Sequence, residues 1–320
     1  MKYWDPVGLG LDPLEFEDSK KSLLKKERFI KKYYNHLLLA ISFFALLAVY
    51  FFLTNSPEFF AVFIILSIIL TISLFGFIYS LKKRLVKLKF ANQNGWLYSP
   101  DKSSLFYRDF SSRFPKIFDL GNKSRSLENI FWGSFKKKSK KYDFVAGDFN
   151  YVLESGSGKN RSSTSYTDHF FILNLKTDIK NSFYLTPKTF GSKIANFFSK
   201  KQIVTESIDF NNAFTFSYQK NNSETKIDIL SVLSPKMLED LVSFNQKKAK
   251  AARSLGGARV LFEKNCVLFT SPGPLLKVKG GITPSSLEVK KEDKKALNDE
   301  LDFFFELGMK MSDSLTKSKY

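Results

Sequence analysis

Gly156-Ser157-Gly158-Lys159 is the stretch of this sequence that comes nearest to a chemical motif. A glycine-rich loop ending in Gly-Lys-Ser/Thr cradles phosphate with backbone N–H groups and a lysine. Here the pattern breaks twice. It needs glycine five positions before Gly158, where Leu153 stands, and Ser or Thr after Lys159, where Asn160 stands. The stretch also leads toward a strand pattern, whereas a phosphate loop opens a helix whose N-terminus faces the anion. It reads as the tip of a hairpin. Cys266 and His169 are the raw material of thiol catalysis, but each sits in an apolar strand pattern and nothing local pairs them. Cys266 reads as a buried, inert thiol. One cysteine and two histidines are too few for a His/Cys zinc site and allow no intrachain disulfide. No G-x-S-x-G, H-E-x-x-H or G-x-G-x-x-G pattern is present, and the carboxylates form no spacing that singles out an acid/base pair. No catalytic, cofactor-binding or metal-ligating residue is assigned, and the sequence leaves enzymatic activity open.

One cluster does suggest binding. Lys136, Lys137, Lys138, Lys140 and Lys141 crowd six positions, flanked by Trp132, Phe135 and Tyr142. Lysines beside aromatics suit anionic lipid headgroups or single-stranded nucleic acid. The plainer reading is a solvated loop. The choice depends on the elements that position the run.

Two apolar runs near the N-terminus decide that. Leu37–Leu53 and Phe59–Leu81 contain no charged residue, and Thr54-Asn55-Ser56-Pro57-Glu58 separates them. About 20 apolar residues of helix span the hydrocarbon core of a bilayer. A soluble helix keeps a polar face, and these runs have none. The proline turn cannot continue a helix. The expected object is a transmembrane hairpin with both chain ends on one side. Lys20, Lys21, Lys25, Lys26, Arg28, Lys31 and Lys32 precede it, and Lys82, Lys83, Arg84, Lys87 and Lys89 follow it. The connecting turn has no basic residue, so both termini are expected to be cytoplasmic in the cell membrane. A cleaved leader does not fit, because the first apolar run starts late and exceeds the usual 7–15-residue core.

The whole chain carries a net charge of +19, and its 35 phenylalanines supply a core readily. A basic domain tethered to a bilayer most simply faces anionic headgroups. The expected partner is therefore the lipid bilayer and its anionic headgroups, with a protein partner also open. Nucleic acid ranks behind. No cofactor is expected.

The organisation reads as an acidic, irregular arm and a basic juxtamembrane segment over 1–35, with helix from residue 20. The hairpin takes 36–89, a cytoplasmic α+β domain 90–316, and a frayed tail 317–320. The second helix should continue to about Asn92 and stop at Asn94-Gly95. Strands are expected over 142–154, 168–176, 182–185, 213–218, 226–232, 258–263 and 266–270, mainly antiparallel. A long Gly/Ser/Asn/Thr loop over 155–167 should join the first two. Leu185-Thr186-Pro187-Lys188 and Leu233-Ser234-Pro235-Lys236 both look like helix starts, with Thr or Ser as N-cap and Pro at the first helical position. They suggest two ββα-like units, with helices to about 200 and 250. A last helix is expected over 290–316.

The layout resembles a group of bacterial membrane proteins of uncharacterised activity, with two spans followed by a cytoplasmic α+β domain. The residues behind this are the spans, Phe90-Ala91-Asn92-Gln93-Asn94-Gly95-Trp96-Leu97-Tyr98, Gly156-Ser157-Gly158-Lys159 and Leu230-Ser231-Val232-Leu233-Ser234-Pro235. The resemblance covers most of residues 35–270. It implies the architecture and supplies no catalytic residue. Together these readings suggest a membrane-anchored binding or scaffolding protein. The alternatives are a membrane-tethered enzyme whose site is assembled from distant residues, and a membrane-associated nucleic-acid binder.

Overall fold

The computed structural model describes residues 9, 11–100, 104–137, 140–175, 178–188, 205–218, 227, 229–230, 232–251, 258–275 and 291–317. They fall into two compact units, one built on two long helices and one on a sheet.

In the helical unit, α1 (Pro13–Leu53) and α2 (Pro57–Gln93) are joined by a turn at 54–56. Asn55 takes the left-handed conformation there, with φ 56°. Thr54 closes α1 by donating its hydroxyl to the Tyr50 carbonyl at 3.1 Å. The helices then run antiparallel. Phe51 stacks on Phe59 and Phe63 at 5.2 and 5.4 Å near the turn. At the far end Glu27 of α1 accepts from Lys89 of α2 at 3.4 Å. Both helices are long and apolar enough to cross a membrane. α1 begins at Pro13, so the irregular arm expected over 1–19 is too long. Asp12-Pro13 places proline at a first helical position, where its missing N–H is not needed.

The sheet unit holds eight strands in the order β1-β2-β3-β4-β8-β7-β5-β6, with antiparallel pairings throughout. They are β1 (Leu97–Ser99), β2 (Lys123–Lys137), β3 (Lys140–Ser155), β4 (Ser162–Asn174), β5 (Phe183–Pro187), β6 (Phe214–Tyr218), β7 (Arg259–Glu263) and β8 (Cys266–Pro272). The fold is α+β. Helices cover both faces, so the central strands are apolar on both sides. Short α3 (Ser104–Arg113) and α4 (Pro115–Phe118) set Phe110 and Phe118 on Phe170, at 5.3 and 5.2 Å. On the opposite face α7 (Lys291–Lys317) sets Phe304 and Phe305 on Phe171, at 5.4 and 5.6 Å. Between the sheet strands lie α5 (Ile208–Ala213) and α6 (Pro235–Ala251), whose Phe244 meets Phe304 at 5.9 Å. α7 lies so close to β4 that a Cβ on Gly308 would collide with Leu173.

Three expectations give way. Ser162–Thr167 is strand, not loop, pairing with Ser155–Asn150 of β3. Its Ser/Thr/Tyr content fits a solvated strand end as well as a loop. Pro187 ends β5 opposite Phe214 instead of opening a helix. Thr186 donates to the Thr215 carbonyl across the sheet at 3.4 Å. The helix expected to about 200 falls outside the described residues beyond Lys188. Residues 227, 229, 230 and 232 are helical, although a strand was expected over 226–232. A short apolar run does not distinguish the two by pattern. The first repeat therefore does not open its helix at Pro187, and the second has helix where its inner strand was expected. The other start holds: Ser234 caps α6, accepting from the Met237 N–H at 3.3 Å.

Candidate functional site

The lysine run sits at the tip of the β2–β3 hairpin. Lys136 pairs with Lys141 and Lys137 with Lys140 across the ribbon, while Lys138 lies outside the described residues. Phe135 and Tyr142 stack at 5.2 Å beneath the tip, and Phe305 stacks on Phe135 at 3.7 Å. This aromatic pile holds the ribbon beyond the end of β4 at Asn174. Like charges directly opposite repel, and two carboxylates relieve them. Lys140 binds Asp313 at 2.7 Å and Lys141 binds Asp143 at 3.2 Å. The Asp313 hydrogen bond holds the Lys140 ammonium above its ordinary value. Lys136 is exposed. The chain enters the sheet at this same end. β1 pairs with Ile130–Trp132, and Trp96 donates its indole N–H to the Ser134 carbonyl at 2.7 Å. Gly133 makes room, since a Cβ there would collide with the Trp96 ring.

Two buried polar clusters were not found from sequence. On the α3/α4 face, Arg259 of β7 forms an ion pair with Asp168 of β4. Its Nε donates to the Thr270 hydroxyl at 3.0 Å, and Tyr151 donates to Asp168 at 3.2 Å. Burial is the largest influence on Arg259 and opposes its charge, but Asp168, Tyr184 and Tyr151 together outweigh it, so the guanidinium is held above its ordinary value. Burial first, and then Asp168, pushes the Tyr151 phenol up. Burial does the same to Tyr184, which also hydrogen-bonds Arg259. The partners are 91 positions apart, so only the topology joins them. The sequence signal was a lone charge opening an apolar strand run, as in Asp168-His169-Phe170-Phe171 and Arg259-Val260-Leu261-Phe262. On the α7 face, Asn129 donates to Asp148 at 2.7 Å and accepts from Tyr98 at 2.7 Å. Asp148 also accepts from the Leu275 N–H, and His169 Nδ1 bonds the Gly273 carbonyl at 2.9 Å. Both clusters tie strands or strand exits together. A buried polar group that is hydrogen-bonded in this way fixes register more than it offers reactivity.

The remaining sequence features separate. Cys266 pairs with Asn174 and His169 with Ser271, so the two residues are five strand positions apart and on opposite faces. Burial pushes the Cys266 thiol up to about 12. Such a thiol carries almost no thiolate at neutral pH and is a poor nucleophile. Ser157-Gly158-Lys159 lies in the tight β3–β4 turn, with a single 3₁₀ turn over Gly158–Asn160. The turn leads into β4 and does not open an α-helix. No group of three or more His, Cys, Asp or Glu able to hold a metal occurs among the described residues.

No family model matches this chain. No curated protein matches it either. Among solved structures it is similar to the crystal structure of the mycobacterial trehalose monomycolate transport factor A, TtfA. The identity is 10%, the TM-score 0.34, and the match covers 71% of this chain and 93% of that one. A likeness at that level carries no argument about fold or function.

Proposed function

We propose that this chain is a binding or scaffolding protein anchored in the cell membrane by α1 and α2, with its sheet unit on the cytoplasmic face. The bare apolar surface of the two helices carries this reading. Only 6% and 17% of their most apolar windows are buried, and Leu39, Leu46, Phe52 and Ile72 are each more than 60% exposed. Large contiguous apolar patches are not left in water, and a bilayer is the solvent that fits helices of this length. The basic flanks and the uncharged turn favour the cytoplasmic orientation. Single cysteines at Ser19 and Asn55 in a Cys266→Ala background test it. An impermeant maleimide applied to intact cells should label position 55 and spare position 19. The reverse pattern would place the sheet unit outside.

The β2–β3 tip extends this reading. Lys136, Lys137, Lys138, Lys140 and Lys141 are proposed to approach anionic headgroups, supported by the chain's entry at the same end of the sheet. Hydrogen exchange of the tip should slow in nanodiscs containing phosphatidylglycerol relative to phosphatidylcholine alone. Slowing by single-stranded DNA instead would favour nucleic acid, and no change with either would leave a solvated loop.

A further inference from the structure

We infer that the stretch of α1 just before its span is a binding site for the phosphate of anionic phospholipids, taken from the leaflet it enters. The inference rests on the membrane-spanning reading above. Lys21, Lys25, Arg28 and Lys32 recur at i, i+4, i+7 and i+11 and, with Phe29 and Tyr33, line an open hollow of about 520 Å³ on one helix. At about 100° per residue the four cations fall within about 60° of one another. The buried residues Phe16, Leu23, Glu27 and Ile30 lie on the opposite side of the helix. Glu27 is engaged there, by Lys31 at 2.9 Å and Lys89 at 3.4 Å. Lys21 has Asp18 at 3.2 Å. Lys25, Arg28 and Lys32 have no carboxylate partner among the described residues. Phe29 and Tyr33 pack at 5.0 Å along one flank, and Lys32 lies over the Tyr33 ring at 4.9 Å.

Depth selects the ligand. At 1.5 Å rise per residue, Lys32 stands about 8 Å and Arg28 about 14 Å before Leu37, where the apolar run begins. Lys25 and Lys21 stand at about 18 and 24 Å. The headgroup layer is roughly 6 Å thick on each side, and long basic side chains reach several ångströms toward it. Lys32 therefore meets phosphates directly. Arg28, about 8 Å outside the layer at its backbone, reaches its outer edge only with its side chain extended toward it, where the guanidinium can hold a phosphate with two parallel N–H bonds. Tyr33 and Phe29 occupy the level at which interfacial aromatics are favoured. The two outer lysines are separated from the headgroups by about one Debye length or more, roughly 8 Å at physiological salt. A dissolved phosphate would show no such gradient.

The test uses the full chain purified from mixed phosphatidylcholine and phosphatidylglycerol, with bound lipid quantified by mass spectrometry. Carbonate extraction of each variant establishes membrane integration separately. Each cation near the surface is worth about a fivefold bias. The wild-type chain should enrich phosphatidylglycerol over the input. Arg28→Gln/Lys32→Gln should lose at least fivefold of that enrichment, while Lys21→Gln/Lys25→Gln keeps most of it. Millimolar inorganic phosphate should leave the bound lipid in place. An integrated wild-type chain with no enrichment, equal losses in the two variants, or displacement by inorganic phosphate would each overturn the inference. Failure of the wild-type chain to integrate would instead overturn the membrane-spanning reading.

Discussion

Asp168 and Arg259 show how a charge is accommodated inside this sheet. Each is at most 6% exposed at its side chain, and each has further hydrogen bonds to Tyr151 or Thr270. Breaking such a pair leaves one charge buried and uncompensated, which costs about 3–5 kcal/mol. Asp168→Asn should therefore lower the thermal midpoint strongly. Asp168→Leu combined with Arg259→Met should recover much of the loss, because a well-packed apolar pair often replaces a buried ion pair at little cost. Cys266 is a second residue-scale case. Its folded pKa of about 12 lies above the ordinary value of 9.0. A raised value means that the folded state holds the proton more tightly. The associated stability is fully present below pH 9 and is lost as pH rises toward 12. The thermal midpoint should fall from pH 9 upward, and Cys266→Ala should remove the first part of that fall. Burial pushes Tyr151 and Tyr184 up as well, so a later decline above pH 10 should persist in the variant. A thiol reagent at pH 8 should react with Cys266 only after unfolding.

At the scale of elements, two near-identical signals have different outcomes. Ser234 caps α6, so Ser234→Ala should cost about 1 kcal/mol. Thr186 sits in β5, so Thr186→Ala should show no loss of a helix cap. Helicity measured by circular dichroism alongside thermal melting separates the two. Gly308→Ala should cost about 1–3 kcal/mol, because the added carbon meets a terminal methyl of the buried Leu173, which must leave its place in the core. These contrasts also show what was legible in the sequence. Local signals with one physical meaning carried through: the charge-free apolar runs, which are helical, the Asn94-Gly95 stop after α2, and the strands expected over 258–263 and 266–270, which are β7 and β8. Signals with two meanings did not. Proline needs no N–H partner at the first turn of a helix or at the end of an edge-side pairing, so Pro187 suited both. The serines and threonines of 162–167 suited loop and strand alike. The Asp168–Arg259 pair was beyond reach for another reason, since it depends on a register set by strands far apart in sequence.

For the molecule as a whole, orientation should follow the charges that flank α1 and α2. Thr54→Lys with Ser56→Lys places two cations on the turn, while Asn55 keeps the left-handed conformation it already adopts. Correct insertion, read as maleimide labelling of Glu58→Cys at the start of α2 in a Cys266→Ala background, should fall. Normal labelling would mean that something other than flanking charge orients the hairpin. The order of the sheet has a different consequence, for synthesis. β1 to β4 follow one another along the chain, but the next neighbour of β4 is β8, and Phe171 meets Phe269 there. A ribosome working at about 5–20 residues per second needs on the order of 5–20 s to add the roughly one hundred residues between them. During that interval β4 presents Phe170, Phe171, Ile172 and Leu173 on an open hydrogen-bonding edge, while α1 and α2 have already left the exit tunnel. The nascent chain is most exposed to mispairing in that window. Slower translation across residues 175–266 should lengthen it and raise the aggregated fraction without altering the finished fold.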